Sequence, residues 1–151
     1  MPLEPQPAMI TPDYIAKLVA QALAEDVESE DITAELIGAD VRTSGRIVTR
    51  EDGILCETAF ALEAFRQIDP SCHVEWAAQD GDVLTASNTL CTLSGPARAL
   101  LTAERTALNF LQLLSGTATT ASHYAARVAH TKVKLLDTRK TVPGLRLAQK
   151  Y

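Results

Sequence analysis

The chain has 151 residues, of which 46% are hydrophobic and 22% charged, a composition typical of a globular domain rather than a disordered segment. The net charge of -5 disfavours a nucleic-acid-binding surface, since such a surface needs clustered positive charge. The three cysteines are widely spaced without a CxxC motif and imply no metal framework. We expect no signal peptide and no membrane span, because neither a basic and apolar leader nor a long apolar run occurs, and we predict a cytoplasmic protein.

The first third of the chain predicts one helix between two irregular segments. Three prolines in the first nine residues predict a loose arm. Thr11, Pro12 and Asp13 then resemble a helix start, with a capping hydroxyl and an acid in the first turn. Apolar residues at helical spacing predict a helix that ends near Glu25, and the acidic stretch 25–31 predicts a solvated turn.

The middle third has the pattern of a small sheet with one helix. Residues 41–50 alternate in character and predict a strand with a basic edge. Residues 58–68 predict a helix with Leu62 and Phe65 on its inner side. Further short strands are predicted at residues 54–56, 72–77, 83–84 and 89–93.

The last third predicts one α/β step. A long helix is predicted at residues 96–115, with Gly116 as its C-terminal stop, and a second helix follows from residue 117 to about 130. A strand at 132–136 then leads into the polar loop 137–144, and the last residues begin another helix. A full α/β barrel needs on the order of 200 residues or more, so these residues would hold only its first unit.

The polar loop carries the most chemical information, because it follows a predicted strand where α/β folds bind ligands. Arg139 can bind a carboxylate or phosphate through two parallel hydrogen bonds, and Lys140 adds a compact charge. Spacing alone leaves two interpretations open. The loop is either an anion-binding site or an exposed basic turn in which Asp137 pairs with its neighbours.

Glu104 and Arg105 form a second unusual feature of the long helix. At about 100° per residue, Glu104 is predicted to project into the middle of the apolar stripe, with Arg105 at its edge. A carboxylate there needs a partner, because burying an unpaired charge is costly. Either Glu104 forms a local pair, with Arg98 or Arg105, or the helix presents Arg105 to a ligand. The histidines have no metal-ligand spacing, and no GxGxxG, P-loop or GxSxG motif occurs.

Several blocks, in order, resemble the quinolinate phosphoribosyltransferase family over residues 26–151. The most specific blocks are Glu-Arg-Thr-Ala-Leu-Asn at residues 104–109 and Asp-Thr-Arg-Lys-Thr at residues 137–141. Supporting blocks lie at residues 50–56, 80–83, 93–98, 114–119 and 136–146. Two departures occur: Glu57 stands where the family usually has glycine, and Ala86 and Ser87 replace a turn glycine.

The resemblance implies transfer of the phosphoribosyl group of phosphoribosyl pyrophosphate to quinolinate with decarboxylation. The products would be nicotinate mononucleotide, CO₂ and pyrophosphate, a step of NAD biosynthesis. It implies an α+β, sandwich-like N-terminal domain at residues 1–116 and the start of an incomplete α/β barrel at residues 117–151. It also implies a homodimer with a shared active site, and Mg²⁺ bound with phosphoribosyl pyrophosphate by ligands expected beyond Tyr151.

The motif match also assigns roles to individual residues. Arg105 would reach a quinolinate carboxylate in the partner's site, whereas Thr138, Arg139 and Lys140 would contact quinolinate in their own barrel, with Lys140 as the catalytic residue. The pyridine nitrogen is itself the nucleophile, so no general base is expected. The family's later motifs, including a His-Arg block, are absent, so no turnover is expected from these residues alone.

Three other functions remain open from the sequence. The Asp-Gly-Asp-Val turn at residues 80–83 also occurs in lipoyl and biotinyl carrier domains, but those need a lysine at a hairpin tip, and none lies between Lys17 and Lys132. A paralogue could use another pyridine or base, although Arg105 and Arg139 favour a dicarboxylate. The chain could also be a non-catalytic partner of a separate C-terminal chain.

Overall fold

The computed structural model describes residues 10–27 and 32–151. The predicted N-terminal arm and residues 28–31 of the acidic stretch lie outside these ranges. In chain order the helices are α1 (Pro12–Asp26), α2 (Ile32–Glu35), α3 (Thr58–Ile68), α4 (Ala97–Val128) and α5 (Arg146–Lys150). The strands are β1 (Arg42–Val48), β2 (Gly53–Ile54), β3 (His73–Trp76), β4 (Val83–Leu84) and β5 (Thr89–Pro96).

Helix α1 begins as the sequence predicts. The Oγ1 atom of Thr11 accepts a hydrogen bond from the N–H of Tyr14 at 3.2 Å, which satisfies one of the free donors of the first turn. Val19 and Leu23 are buried on its inner face. The helix ends at Asp26, so this acid belongs to the helix and not to the predicted solvated turn.

Two small antiparallel sheets form the middle of the chain. The first has the order β1-β5-β3 and the second pairs β2 with β4. Along β5, Cys91 and Leu93 are buried whereas Thr92 and Ser94 are exposed, so one face of the sheet meets solvent. The other face joins the core, where the Phe60 ring of α3 lies 4.8 Å from the Phe110 ring of α4 between centroids.

Helix α3 has the predicted bounds but a different inner face. Phe60 and Phe65 are fully buried, together with two alanines between them, whereas Leu62 is exposed. At about 100° per residue, position 62 lies roughly 130° from the centre of the face that the buried residues define. The predicted inward position of Leu62 is therefore wrong, and that of Phe65 is confirmed.

Helix α4 runs without a break from Ala97 to Val128, so the predicted stop at Gly116 is wrong. Gly116 does not have the positive φ of a helix-ending glycine, whereas Gly81 and Gly144, which both lie in turns, do have positive φ values. The helix is also held beyond this point, because the hydroxyl of Thr119 accepts a hydrogen bond from the Ile54 N–H at 2.8 Å. The predicted domain boundary between residues 116 and 117 falls inside α4 and stays a prediction.

The predicted strand at residues 132–136 is not formed. Residues 133–138 have no regular secondary structure, and Val133, Leu135 and Leu136 are exposed. A parallel strand needs a neighbour for its backbone hydrogen bonds, and the described part of the chain pairs no strand with this segment. The structure therefore confirms helices with small antiparallel sheets, whereas the barrel stays a prediction. None of the described helices has the length and apolar content needed to cross a membrane.

Candidate functional site

The polar loop 137–144 presents two cations to solvent between α4 and α5. The side chains of Arg139 and Lys140 are exposed, as is that of Thr138. The N–H of Lys140 donates to Oγ1 of Thr138 at 3.0 Å, which bends the backbone into a tight turn. The Thr138 hydroxyl keeps its own proton to donate, so the turn offers three hydrogen-bonding side chains to an anion.

Asp137 does not neutralise the two cations beside it. Its carboxylate forms an ion pair with the Nζ atom of Lys150, at the end of α5. The backbone of the same loop is fixed by α5 as well, because the Val142 N–H donates to Oε1 of Gln149 at 2.7 Å. The expected pairing of Asp137 with its neighbours is therefore wrong, whereas the loop is exposed, as that alternative also expected.

The far end of the loop is tied to the N-terminal helix. The Tyr14 hydroxyl of α1 donates to the backbone oxygen of Gly144 at 2.8 Å, although 130 residues separate them. Gly144 has φ +84, a conformation that L side chains rarely adopt. Sequence reasoning missed this contact, because nothing in the spacing of α1 distinguishes Tyr14 from other residues of its first turn.

Glu104 is exposed, so its predicted position in the apolar stripe is wrong. The buried face of α4 is centred instead on Ala103, Ala107 and Phe110, because small residues allow close packing against α3. Arg98 is engaged elsewhere, and its Nε donates to the backbone oxygen of Ile37 at 2.7 Å.

Arg105 lies on the exposed side of α4 and pairs with the end of α1. Its Nε atom is 3.0 Å from Oδ1 and 3.2 Å from Oδ2 of Asp26. The structure thus brings Thr138, Arg139 and Lys140 together on one loop and places Arg105 in a separate pairing with Asp26. A role for Arg105 in a partner subunit's site remains an expectation.

An open cavity of about 1450 Å³ lies beside the loop. The second half of α4, the end of β2, residues 135–138 and α5 form its walls. Thr138 is the one predicted site residue in its lining, which also includes Gln112, Tyr124 and Tyr151. A smaller cavity of about 340 Å³ near β4 contains none of the predicted site residues.

Cys56 lines the larger cavity and Glu57 follows it in the sequence, and the pKa values of both side chains are raised. Burial, followed by the charge of Asp80, raises the pKa of Glu57 to about 7. Burial, followed by the charges of Glu57 and Asp80, raises the pKa of the Cys56 thiol to about 12. Cys56 therefore stays protonated at neutral pH and is a poor nucleophile.

Potential metal ligands are scattered in the part of the chain that the structure describes. Across residues 10–27 and 32–151, no three His, Cys, Asp or Glu side chains converge in a way that could hold a metal ion. Mg²⁺ in proteins is bound by carboxylates, substrate phosphates and water in octahedral geometry. Such a site needs only one or two protein carboxylates when substrate phosphates complete it, so the chemistry of the loop residues is considered without the ion.

Two family models match the chain. The model "Quinolinate phosphoribosyl transferase, N-terminal domain" matches residues 31–115, and the corresponding C-terminal domain model matches residues 117–151. The probable nicotinate-nucleotide pyrophosphorylase [carboxylating] of Synechocystis sp. is 36% identical over 149 residues, which are 97% of this chain and 50% of that relative. The probable enzyme of the same name from Bacillus subtilis is 35% identical over 137 residues, 91% of this chain and 47% of that relative.

Solved structures agree with the sequence comparisons. The nicotinate-nucleotide pyrophosphorylase from Francisella tularensis superposes with a TM-score of 0.93 and 44% identity, covering 98% of this chain and 52% of that one. NadC from Streptococcus pyogenes gives a TM-score of 0.90 and 35% identity over 95% of this chain and 51% of that one. The chain spans about half the length of these relatives. Since the N-terminal model alone matches more than half of the residues, the chain belongs to the quinolinate phosphoribosyl transferase family.

Proposed function

We propose that a protein containing this chain transfers the phosphoribosyl group of phosphoribosyl pyrophosphate to quinolinate with decarboxylation. The products are nicotinate mononucleotide, CO₂ and pyrophosphate, and the reaction belongs to NAD biosynthesis. The observation that carries the proposal is the loop with Arg139 and Lys140, whose cations are exposed and not neutralised by Asp137. The relatives' names, nicotinate-nucleotide pyrophosphorylase and quinolinate phosphoribosyltransferase, support it.

The loop chemistry suits a pyridine dicarboxylate. The planar guanidinium of Arg139 can bind one carboxylate through two parallel hydrogen bonds, and the Thr138 hydroxyl can donate a third. Lys140, proposed as the catalytic residue, contributes a compact positive charge beside the reacting groups. Contacts with α5 and α1 fix this loop. Its two cations therefore hold the quinolinate ring in place with little loss of conformational entropy in the loop.

The reaction then needs positioning and charge stabilisation rather than a general base. The pyridine nitrogen attacks C1 of the ribose, and the bond from C1 to the pyrophosphate oxygen breaks. The carboxylate next to the ring nitrogen leaves as CO₂, its electron pair remains on the ring carbon, and that carbon takes up a proton. Negative charge builds up on the leaving group and on the ring, and the field of the loop cations stabilises both.

We propose that the working unit is a cytoplasmic homodimer and that Arg105 binds the second carboxylate in the partner subunit's site. Two features support a separate role for Arg105: its side chain is mostly exposed, and it is not part of the lining of its own chain's large cavity. Magnesium is proposed to accompany phosphoribosyl pyrophosphate, with ligands from outside this chain. The paralogue that uses another base stays the alternative.

The test uses a protein that contains this sequence at the full length of the relatives. It is supplied with quinolinate, phosphoribosyl pyrophosphate and magnesium, and nicotinate mononucleotide is followed by mass spectrometry. Arg105→Ala and Arg139→Ala are each expected to lose about tenfold or more in kcat/KM, or about 1.4 kcal/mol of transition-state stabilisation.

Arg66→Ala is the matched control, because Arg66 is an exposed arginine that pairs with Glu63 of its own helix. It should leave kcat/KM unchanged. A folded wild type that makes no product from quinolinate would exclude this substrate and favour the paralogue. Equal losses in all three variants would show that the two arginines have no specific role.

A further inference from the structure

The guanidinium of Arg105 is held on its Nε side by the carboxylate of Asp26. Both of its hydrogen bonds to Asp26 start from Nε, at 3.0 and 3.2 Å. The side chain of Arg105 is 65% exposed, whereas that of Asp26 is 24% exposed. Asp26 therefore lies against the body of the protein, and among residues 10–27 and 32–151 no acceptor pairs with the terminal edge of the guanidinium, where its two Nη atoms can donate to a second acceptor.

Helix stability does not account for an acid at this position. Asp26 is the last residue of α1, where the helix dipole disfavours negative charge, and the last turn contains no basic residue. Asp13, in contrast, lies in the first turn, where negative charge is favourable, and pairs with Lys17 at 2.8 Å along the same helix. Of these two acids of α1, Asp13 stabilises the helix and Asp26 does not.

The ion pair is also a weak attachment between α1 and α4. Exposed pairs contribute about 0–1 kcal/mol to the free energy of unfolding. Helix α1 is already fixed by the burial of Val19 and Leu23 in the core. A free arginine side chain has several rotatable bonds, and ordering them on binding costs affinity. A guanidinium that is fixed beforehand avoids most of that cost.

We propose that Asp26 is a positioning residue, which orders the guanidinium of Arg105 so that its Nη edge meets a substrate carboxylate. The inference rests on the proposed function, in which Arg105 binds quinolinate. Asp26 touches no substrate in this account and acts only through Arg105.

The experiment measures Asp26→Asn in the full-length protein, alone and combined with Arg105→Ala. Asp26→Asn is expected to raise the KM and the calorimetric Kd for quinolinate about fivefold or more, with kcat within about twofold, because ground-state binding loses preorganisation. In the Arg105→Ala background the same change should have no further effect on the Kd, since the residue through which it acts is gone. Asp26→Glu keeps the charge and should recover most of the affinity even if Asp26→Asn folds poorly.

Asp13→Asn is the control, because it removes an exposed acid and its ion pair from the same helix. It should change neither KM nor Kd. An unchanged or lower Kd for Asp26→Asn would overturn the inference, as would an equal effect with and without Arg105. In both of those cases the wild type still makes product, so the proposed function stands. A folded wild type that makes no product would instead overturn the proposed function and this inference with it.

Discussion

Glu57 combines a left-handed backbone with a buried carboxyl group. Its φ is 64, only 3% of its surface is exposed, and Oε1 has no hydrogen-bond partner within the described residues. A positive φ costs a non-glycine residue about 1 kcal/mol or more, and an unsatisfied buried polar group costs about 1–3 kcal/mol. Glu57→Gly is therefore expected to raise the free energy of unfolding by about 1–3 kcal/mol in urea titrations.

Ser87→Gly is the matched control for the backbone contribution. Ser87 also has a positive φ, of 75, but it is exposed and its N–H bond to Thr49 would remain in glycine. Ser87→Gly should raise the free energy of unfolding by no more than about 1 kcal/mol. Equal gains in the two variants would show that the buried carboxyl of Glu57 has no cost of its own.

The raised pKa of Glu57 also predicts a pH dependence of stability. The folded protein keeps the proton on this group up to a pH of about 7, whereas the unfolded chain releases it near 4.5. Between these values the folded state binds more protons, so the free energy of unfolding falls as the pH rises. Glu57→Gln should flatten this part of the curve in thermal unfolding from pH 5 to 8. An identical slope in the wild type and in Glu57→Gln would contradict the prediction.

At the scale of elements, capping and periodicity predicted α1, α3 and the short strands, whereas the course of α4 was missed. The predicted apolar stripe of α4 was Leu100, Leu101, Ala107, Leu108, Leu111 and Leu114. Four of these residues are buried, whereas Leu101 is exposed and Leu108 is half-buried. The buried face also includes Ala103, which the stripe omitted because alanine carries little hydrophobic signal in a sequence. A glycine in a helical pattern can either continue the helix or end it, and its sequence position alone does not decide between the two. Tertiary contacts of Thr119 hold the helix beyond Gly116, and spacing does not reveal them.

Gly116→Ala is expected to stabilise the protein by about 0.5–1 kcal/mol, because alanine loses less backbone entropy in a helix. A Cβ atom built at Gly116 meets nothing within 4 Å. Gly53→Ala is the contrasting variant, since its Cβ would lie 2.8 Å from the Thr119 hydroxyl oxygen that caps the β2 backbone. Gly53→Ala should lower the free energy of unfolding, and urea titrations of both variants measure the two changes. Destabilisation by Gly116→Ala would mean that the helix needs a flexible position there.

Tyr14→Phe removes the hydrogen bond that links α1 to the basic loop. We expect the free energy of unfolding to fall by about 0.5–1.5 kcal/mol and amide exchange at residues 138–144 to accelerate. Exchange within β1, which is not bonded to Tyr14 or Gly144, is the internal control. Equal acceleration in the loop and in β1 would indicate a global effect and no specific support of the loop.

At the scale of the whole molecule, the motifs predicted the family and the loop that carries three of the proposed site residues. They did not predict the supports of that loop, Tyr14, Gln149 and Lys150, because such contacts join distant residues of ordinary type. The strand before the loop was predicted from its apolar pattern, which is real. No strand among the described residues pairs with this segment, so its leucines are exposed and no strand forms.

A polypeptide of these 151 residues alone is expected to self-associate through this segment. Leu136 is 81% exposed and lies beside Val133 and Leu135, which are exposed as well. Leu136→Asp should shift sedimentation towards the monomer. Leu36→Asp is the control. Leu36 is similarly exposed, at 85%, but it directly follows α2 and lies outside residues 133–136. Equal effects of the two changes would argue against a specific contact through residues 133–136.

The unbroken course of α4 has a consequence for any chimaera that joins two relatives near Gly116. One helix runs through both regions matched by the family models. A change of length at the junction therefore rotates one region about the helix axis relative to the other. An insertion of one residue would turn everything downstream by about 100° and carry Thr119 away from β2, whereas an insertion of seven would nearly restore the phase at the cost of about 10 Å of displacement. Recombined halves should therefore tolerate changes of sequence at this junction but not changes of length.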